Sequence, residues 1–276
     1  MRTLYLVATP IGNLEDISAR ALRVLREARL IAAEDTRQTR KLLSHFGIHT
    51  PLVSYHEHNK LTRLDEVLGE LTLGDVALVS DAGTPALNDP GYELVRAALA
   101  AGCTVSPIPG PSAPISALVA SGLPTDAFLY LGYLPRKASE RRILLGKVAN
   151  LPYTLIFLET PHRLLDSLDD LLYVLGDRTC AVARELTKLH EEILRGSLSS
   201  IRLHFSTIEP RGEFTLVVGG PPSQPQSRWT EEQVRAALIE ARSRQLPASQ
   251  IAREIAAISG WPKKEVYQLI KLGTEH

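Results

Sequence analysis

Short apolar runs alternate with amphipathic stretches over residues 4–120, and this alternation constrains the fold more than any other feature of the chain. Leu4 to Ala8, Leu30 to Ala33, Leu52 to Tyr55, Val76 to Val79 and Thr104 to Ile108 read as strands. Segments of helical period separate them: Ser18 to Ala28, with Asp16 or Ser18 as N-cap, Gln38 to Phe46, Leu61 to Leu71, and Tyr92 to Ala101. Gly47 stops the second of these, and a further helix from Ser112 to Ala120 closes at Gly122. Strands regularly spaced by helices predict a mostly parallel sheet covered on both faces, an α/β domain.

Near Asp126 the chain changes character. Phe128 to Leu134 is strand-like and is followed by the exposed, basic Pro135-Arg136-Lys137, so a domain boundary is expected there. The pattern then restarts with helix Ser139 to Val148, strand Thr154 to Leu158, helix Arg163 to Leu175 and strand Thr179 to Arg184. Ile193-Leu194 reads as a short strand, Leu198 to Phe205 as a helix and Glu213 to Val218 as a last strand, without residue-level repetition of the first half. Proline and small polar residues from Pro221 to Ser227 have nothing to bury and read as a linker.

Beyond it, Thr230 caps a helix, Ser249 to Ile258 forms a second, and a third runs from Lys263 to Leu272 after Pro262. Helix, glycine turn and lysine-fronted helix look like a helix-turn-helix, or equally a charged helix packed on the body. The expected organisation is therefore an α/β domain at 1–125, a second at 126–220, a linker at 221–228 and an all-helical module at 229–276.

Composition narrows the function classes. Thirty-one basic residues balance thirty-one acidic ones, so net charge does not advertise nucleic acid, although a local patch survives that averaging. Cys103 and Cys180 stand far apart without a second ligand at metal spacing, which argues for a reducing compartment and against a zinc site. No apolar run reaches membrane length and no targeting pattern precedes the first strand, so a soluble, cytoplasmic protein is expected.

Turns follow strands at Thr9 to Asn13, Asp81 to Leu87 and Pro109 to Ala113. In a parallel sheet all of them emerge at one edge, where chains diverge and ligands bind. Gly83 admits close backbone approach and Pro85 stiffens the next step. None of the turns is a Gly-x-Gly-x-x-Gly fingerprint, and no Gly-x-x-x-x-Gly-Lys-Ser/Thr loop is present, so dinucleotide and nucleoside-triphosphate readings are weak.

Gly83-Thr84-Pro85 after one strand and Pro109-Gly110-Pro111-Ser112-Ala113 after the next resemble the S-adenosylmethionine site of the tetrapyrrole (corrin and porphyrin) methylases. Further phrases are similar to one subgroup, the bacterial small-subunit ribosomal RNA cytidine 2′-O-methyltransferases. These are Ala8 to Leu14, Ala33 to Arg37, Ser80 to Pro85, Glu159 to Arg163 and Arg184 to Lys188. The resemblance runs from Met1 to about Gly219, and the helical tail resembles that subgroup's C-terminal module. One departure is that the family's Gly-Asp-Pro is here Gly83-Thr84-Pro85, with the acid moved ahead to Asp81.

The resemblance implies two α/β domains of this type with a cofactor cleft between them, plus the small all-helical module. It implies S-adenosylmethionine held largely by main-chain groups. Its bed would be Pro10, Ala82, Gly83, Pro85, Leu87, Ser112 and Ala113, with Leu158, Leu186, Gly212, Glu213 and Phe214 from the second domain. The sulfonium already carries an activated methyl group, so the protein must orient, desolvate and deprotonate. A ribose hydroxyl then calls for a base or a cation, and the candidates at loop ends are Glu34, Asp35, Arg37, Glu159 and Lys188. Glu34 to Arg37 could equally be a helix cap with a surface arginine, and Glu159 a supporting hydrogen-bond group.

His56 and His58 share one side of an extended segment, which admits a metal, but polar substrate-facing groups are preferred and no metal is expected. Candidate phosphate contacts are Arg136, Lys137, Arg141, Arg142, His162, Arg163, Lys188 and the tail's Lys263, Lys264 and Lys271. The expected partner is ribosomal RNA or the small subunit, and the resemblance implies a homodimer. Two other readings stay open: a methylase of a small tetrapyrrole, and a non-catalytic RNA-binding assembly factor.

Overall fold

The computed structural model describes residues 2–57, 59–89, 91–222, 229–242 and 246–272. Its contacts divide the chain into two compact units, Met1–Gly220 and Pro221–His276. The first unit carries both sheets.

The first sheet contains β1 (Thr3–Val7), β2 (Leu30–Ala33), β3 (Leu52–Ser54), β4 (Val76–Val79) and β5 (Thr104–Ile108) in the order β3-β2-β4-β1-β5. Every pairing is parallel. β2 and β4 are buried at every position, which is why they appear in the sequence as unbroken apolar runs. Alternate side chains divide between two cores. Ile31, Ala33, Ala77 and Val79 meet α1 (Ala19–Glu27) and α2 (Thr36–His45) on one face. Ala32, Val76 and Leu78 meet α3 (Lys60–Leu73) and α4 (Tyr92–Ala100) on the other. Burying leucines such as Leu25, Leu71 and Leu94 stabilises this layer by ~1.5–3 kcal/mol each. Ser18 is the N-cap of α1, its hydroxyl accepting from the Ala21 N–H at 3.1 Å.

α5 (Ala113–Ser121) leaves β5 but packs on the second sheet, where Ala117 and Leu118 bury against Ile156, Ala181, Ala183 and Val217. One helix thus stitches the layers together, and the turn that introduces it lies at their seam. The second sheet contains β6 (Phe128–Tyr133), β7 (Thr154–Glu159), β8 (Thr179–Arg184), β9 (Glu192–Ser197) and β10 (Phe214–Val218), in the order β6-β7-β10-β8-β9. Only β6 and β7 pair in parallel; β10 runs antiparallel between β7 and β8, and β9 antiparallel to β8. The continued α/β alternation of the sequence therefore builds a mixed sheet. The short connection between β8 and β9 leaves no room for a crossover helix, so this pair must be antiparallel. β9 also extends beyond Ile193-Leu194, because Arg195, Gly196 and Ser197 pair with β8 although they lack the apolar signature of a strand.

α6 (Ala138–Val148), α7 (Leu164–Leu175) and α8 (Leu198–Thr207) cover one face, around Phe157, Leu168, Phe205 and Phe214. Between α6 and α7, Asp170 accepts from Arg141 Nε at 2.6 Å and from Arg142 Nε at 2.6 Å.

The second unit holds α9 (Glu231–Arg242), α10 (Ala248–Ser259) and α11 (Lys263–Leu272) around Val234, Ile251, Ile255 and Val266. Thr230 and Gln233 form a reciprocal cap on α9: each side-chain oxygen accepts from the other's N–H, at 3.3 and 2.9 Å. Gly260 turns α10 into α11 with φ +70°. Of the expected linker, 223–228 lies outside the described residues. Among the described residues no helix is long and apolar enough to cross a membrane.

Candidate active site at the seam of the two sheets

The turns that leave β1, β4 and β5 meet. Thr9 and Gly83 exchange main-chain hydrogen bonds at 2.9 and 3.0 Å, and the Thr9 hydroxyl donates to the Ser80 carbonyl at 3.2 Å. The Thr84 hydroxyl reaches the Pro111 carbonyl at 3.4 Å. Gly83 holds φ +80°, a region that side chains with a Cβ rarely enter. Both main-chain groups of Gly83 are engaged by Thr9, so a ligand on this turn meets Gly83 by close packing and finds its main-chain hydrogen bonds at the neighbouring peptides.

Below the meeting point is a cleft of about 280 Å³, close to the lower end of the ~300–1,000 Å³ usual for ligand pockets. Ala82, Gly83, Leu87, Ser112 and Ala113 line it from the first layer, and Leu158, Glu213 and Phe214 from the second. Glu34 and Glu159 also face it. Other expected residues lie elsewhere. Pro10 borders a neighbouring hollow with Gln38 and Lys41. Pro85 is buried beneath its turn, and Leu186 packs against the second sheet. Gly212, at φ +87°, is a turn residue whose missing Cβ leaves room for the Glu185 side chain.

The catalytic candidates separate just as clearly. Arg37 is a surface arginine, its side chain 84% exposed and forked onto Asp35, whose carboxylate also accepts from the Arg37 N–H to cap α2. The cap reading of this motif is the observed one, and the Arg37 bond holds the Asp35 carboxyl down at about 2. Lys188 donates to Glu185 and to Glu213, each at 2.9 Å. Glu159 is 2% exposed, and both its oxygens are taken. One accepts from the Thr160 N–H at 2.8 Å, the other from the Ser167 hydroxyl at 2.6 Å, with Arg163 at 3.3 Å. A carboxylate so occupied offers no free oxygen to a substrate proton.

Glu34 remains in play. Its Oε2 accepts from the Asp81 N–H at 3.2 Å while Asp81 Oδ1 accepts from the Asp35 N–H at 2.9 Å, which ties the ends of β2 and β4 together. Burial pushes the Glu34 carboxyl above its ordinary range, the Asp81 amide pulls it back, and the charges of Asp81 and Asp35 raise it further.

Ile11, Asp81 and Thr84 of the expected turns also line the cleft, together with residues that the sequence analysis did not name for the site: Asn88, Asp89, Pro114, Tyr130, Tyr133 and Thr215. Burial, then the Glu34 charge, lift the Asp89 carboxyl to about 6, with the Ser80 hydroxyl opposing and Asp81 adding to the rise. Tyr130 and Tyr133 stand three apart on β6, a spacing that puts side chains on opposite faces of a regular strand. The pairing with β7 shifts register between them, and Gly132 sits in the shift with φ +63°, so both rings line the cleft. Gly132 also leaves the space that the Asn88 side chain occupies. Burial holds the Tyr130 phenol up at about 12, and it stays protonated at neutral pH.

Two expected phosphate contacts are structural instead. Arg141 is buried on Asp170, and Arg163 donates to the Leu134 and Pro135 carbonyls besides pairing with Glu159. Among the described residues there is no group of three or more metal-ligating side chains, and His58 lies outside them.

The profile of the tetrapyrrole (corrin/porphyrin) methylases matches residues 3–202. The chain belongs to this family. Within the tetrapyrrole methylase family, it is 48% identical over 271 residues to the ribosomal RNA small subunit methyltransferase I of Halalkalibacterium halodurans, with 97% of this chain and 94% of that one covered. The protein of the same name from Synechocystis sp. is 48% identical over 271 residues, covering 98% and 97%. The uroporphyrin-III C-methyltransferase of Thermus thermophilus, solved with S-adenyl homocysteine, shares the fold at a TM-score of 0.55 and 21% identity, covering 79% of this chain and 97% of that one. The part of the chain outside that fold match is the size of the helical unit.

Proposed function

We propose that this tetrapyrrole methylase family member is an S-adenosylmethionine-dependent methyltransferase of small-subunit ribosomal RNA, acting on the ribose 2′-hydroxyl of a cytidine. The observation that carries the RNA reading is the near-full-length identity to methyltransferases of that name, which extends through the helical unit. S-adenosylmethionine would supply an activated methyl group on a cationic sulfonium. The cleft suits that charge: Glu34, Asp81, Asp89, Glu159 and Glu213 face it, with two tyrosine rings, and among the described residues no lysine or arginine lines it. Ala82, Gly83, Ser112, Ala113, Leu158 and Phe214 are the residues that would hold the ligand.

The same acidity disfavours a small tetrapyrrole as acceptor, because a macrocycle bearing several carboxylates would meet the like charges of Glu34, Asp81 and Asp89, while Glu159 and Glu213 are paired with Arg163 and Lys188. A neutral ribose hydroxyl meets no such repulsion, and the RNA phosphates can stay outside the cleft. There the exposed Arg136 and Lys137, and Lys263 and Lys264 of the helical unit, are the proposed contacts. With a ribosomal substrate the protein would work in the cytoplasm, and a homodimer is proposed, to be tested by sedimentation.

Tritiated methyl transfer to undermodified small subunits, to naked RNA and to a porphyrinogen decides the acceptor. Incorporation into the subunit RNA at ribose is expected, and label in the porphyrinogen alone would overturn the reading. A non-catalytic assembly factor would bind subunits and transfer nothing. Removal of 229–276 is expected to weaken subunit binding ~10-fold or more at moderate salt, through lost phosphate contacts, with cofactor affinity unchanged. Equal losses of both would reject a docking role for the helical unit.

A further inference from the structure

The geometry points to Asp89 as the general base that removes the acceptor hydroxyl proton, an assignment that rests on the methyltransferase reading above. It follows from what each carboxylate of the cleft already holds. Glu159 is saturated by Thr160, Ser167 and Arg163. Glu213 is tied to Lys188. Asp81 and Glu34 each hold a main-chain amide of the other's segment, so moving either one unlatches the ends of β2 and β4.

Asp89 differs from all of these. The influences on its carboxyl are burial, the Glu34 and Asp81 charges and the Ser80 hydroxyl, with no cation and no main-chain amide among them. It lines the cleft with Asn88, Tyr130 and Tyr133, and the Asn88 side chain lies over Gly132 in the β6 bulge. Among the described residues no ion pair takes its oxygens, so they stay available to a proton.

The titration suits the task. A base works best when its pKa lies near the operating pH, and about 6 leaves Asp89 ionised at neutral pH yet more basic than a free carboxylate. The groups that face it are Glu34 from the end of β2, Asp81 from the end of β4, and Tyr130 and Tyr133 from β6. His56, after β3, bears on Glu34. Both phenols lie above their ordinary range and stay neutral, so the two carboxylates are the like charges that set the value.

In the step, the 2′-hydroxyl proton moves to an Asp89 oxygen while an electron pair of the ribose oxygen forms the new O–CH₃ bond. The pair of the broken CH₃–S bond stays on sulfur, which leaves as a neutral thioether. Asp89 then releases its proton to solvent. The sulfonium charge is thus replaced by one released proton.

Single-turnover methyl transfer to undermodified subunits, followed against pH for the wild type and Asp89→Asn, tests the assignment alongside calorimetric cofactor affinity. The wild-type rate is expected to rise about tenfold per pH unit below about pH 6 and then level off. Asp89→Asn is expected to lose ~10²–10⁴-fold in rate and that pH dependence, with cofactor affinity falling by no more than about tenfold, the share of one of the cleft's acidic groups. An Asp89→Asn rate close to wild type, or a variant that loses cofactor affinity as steeply as rate, would overturn the assignment. A wild type that transfers nothing to RNA would sink the underlying function instead, so the two failures are distinguishable.

Stability gives a readout independent of turnover. The folded-state pKa of Asp89 is raised, so the folded protein binds more protons than the unfolded one between about pH 4 and 6, and stability is lost as pH rises through that window. Asp89→Asn removes this loss. Its Tm relative to wild type should therefore be higher at about pH 7.5 than at about pH 4. An unchanged difference would show that Asp89 is not held at a raised pKa and would remove the basis for the assignment.

Discussion

Gly83→Val is expected to weaken S-adenosylmethionine binding by ~100-fold or more while leaving the protein folded. Gly83 sits at φ +80°, where an L-residue pays ~1–2 kcal/mol and a β-branched one fares worse. A Cβ by itself fits, at 3.4 Å from Ile11 Cγ2 and 3.8 Å from the Pro111 carbonyl oxygen. The two methyls of valine have no such room between these neighbours. Relief of the strain means rotating the turn away from Thr9, which breaks the bridge that holds the β1 and β4 turns together. Gly83→Ala keeps the space and carries only the backbone cost, so a loss of ~10-fold is expected for it. Calorimetry on both variants, with circular dichroism to show that they are folded, makes the comparison. Equal losses for alanine and valine would place the whole effect in the backbone, and a folded valine variant of unchanged affinity would remove this turn from the site.

Asp170→Ala is expected to cost ~3–5 kcal/mol of stability without touching the cleft directly. Arg141 and Asp170 have side chains only 5% and 3% exposed and meet at 2.5 Å, and Arg142 adds a second ion pair at 2.6 Å from the surface side. Without the carboxylate, the Arg141 guanidinium stays buried with only carbonyl acceptors: Pro135 at 3.2 Å, and Arg136 and Asp166 at 3.4 Å. An unpaired buried charge is the costly outcome, whereas a matched apolar replacement of the whole set would not be. Urea unfolding should show a lower midpoint with an unchanged slope. Asp170→Asn retains an acceptor and should lose less. A loss below ~1 kcal/mol for alanine would mean that water reaches Arg141 and screens it.

The first layer was legible because its physics is local. Strands buried on both faces must be apolar throughout, and β2 and β4 begin and end where the apolar runs do. The mixed second sheet was not, since strand direction depends on whether a connection crosses over, and β10 enters between β7 and β8 from a distant part of the chain. In the site, the turns at Thr9, Gly83 and Ser112 could be read from glycine, proline and position after a strand. Tyr133 could not, because its orientation depends on a bulge whose only trace in the sequence is Gly132. Lys188, Arg37 and Glu159 had the right chemistry at loop ends, and what the sequence could not show is the partners each one finds: Glu185 and Glu213, Asp35, and the Ser167–Arg163 pair. Partners are a property of the folded chain. Asp89 is the converse case, an acid in an unremarkable turn that becomes distinctive once burial and Glu34 act on it.

A crystal structure of the protein soaked with S-adenosylhomocysteine bears most directly on the idea that the strand-end turns form a methyl-donor cleft. The ligand is expected against Ala82, Gly83, Ser112 and Ala113 on one wall and Leu158 and Phe214 on the other, with its sulfur toward Asp89 and Glu34. Density for the ligand anywhere else, or an empty cleft at a soak of about 1 mM, where even a weak complex of that Kd is half formed, would contradict it.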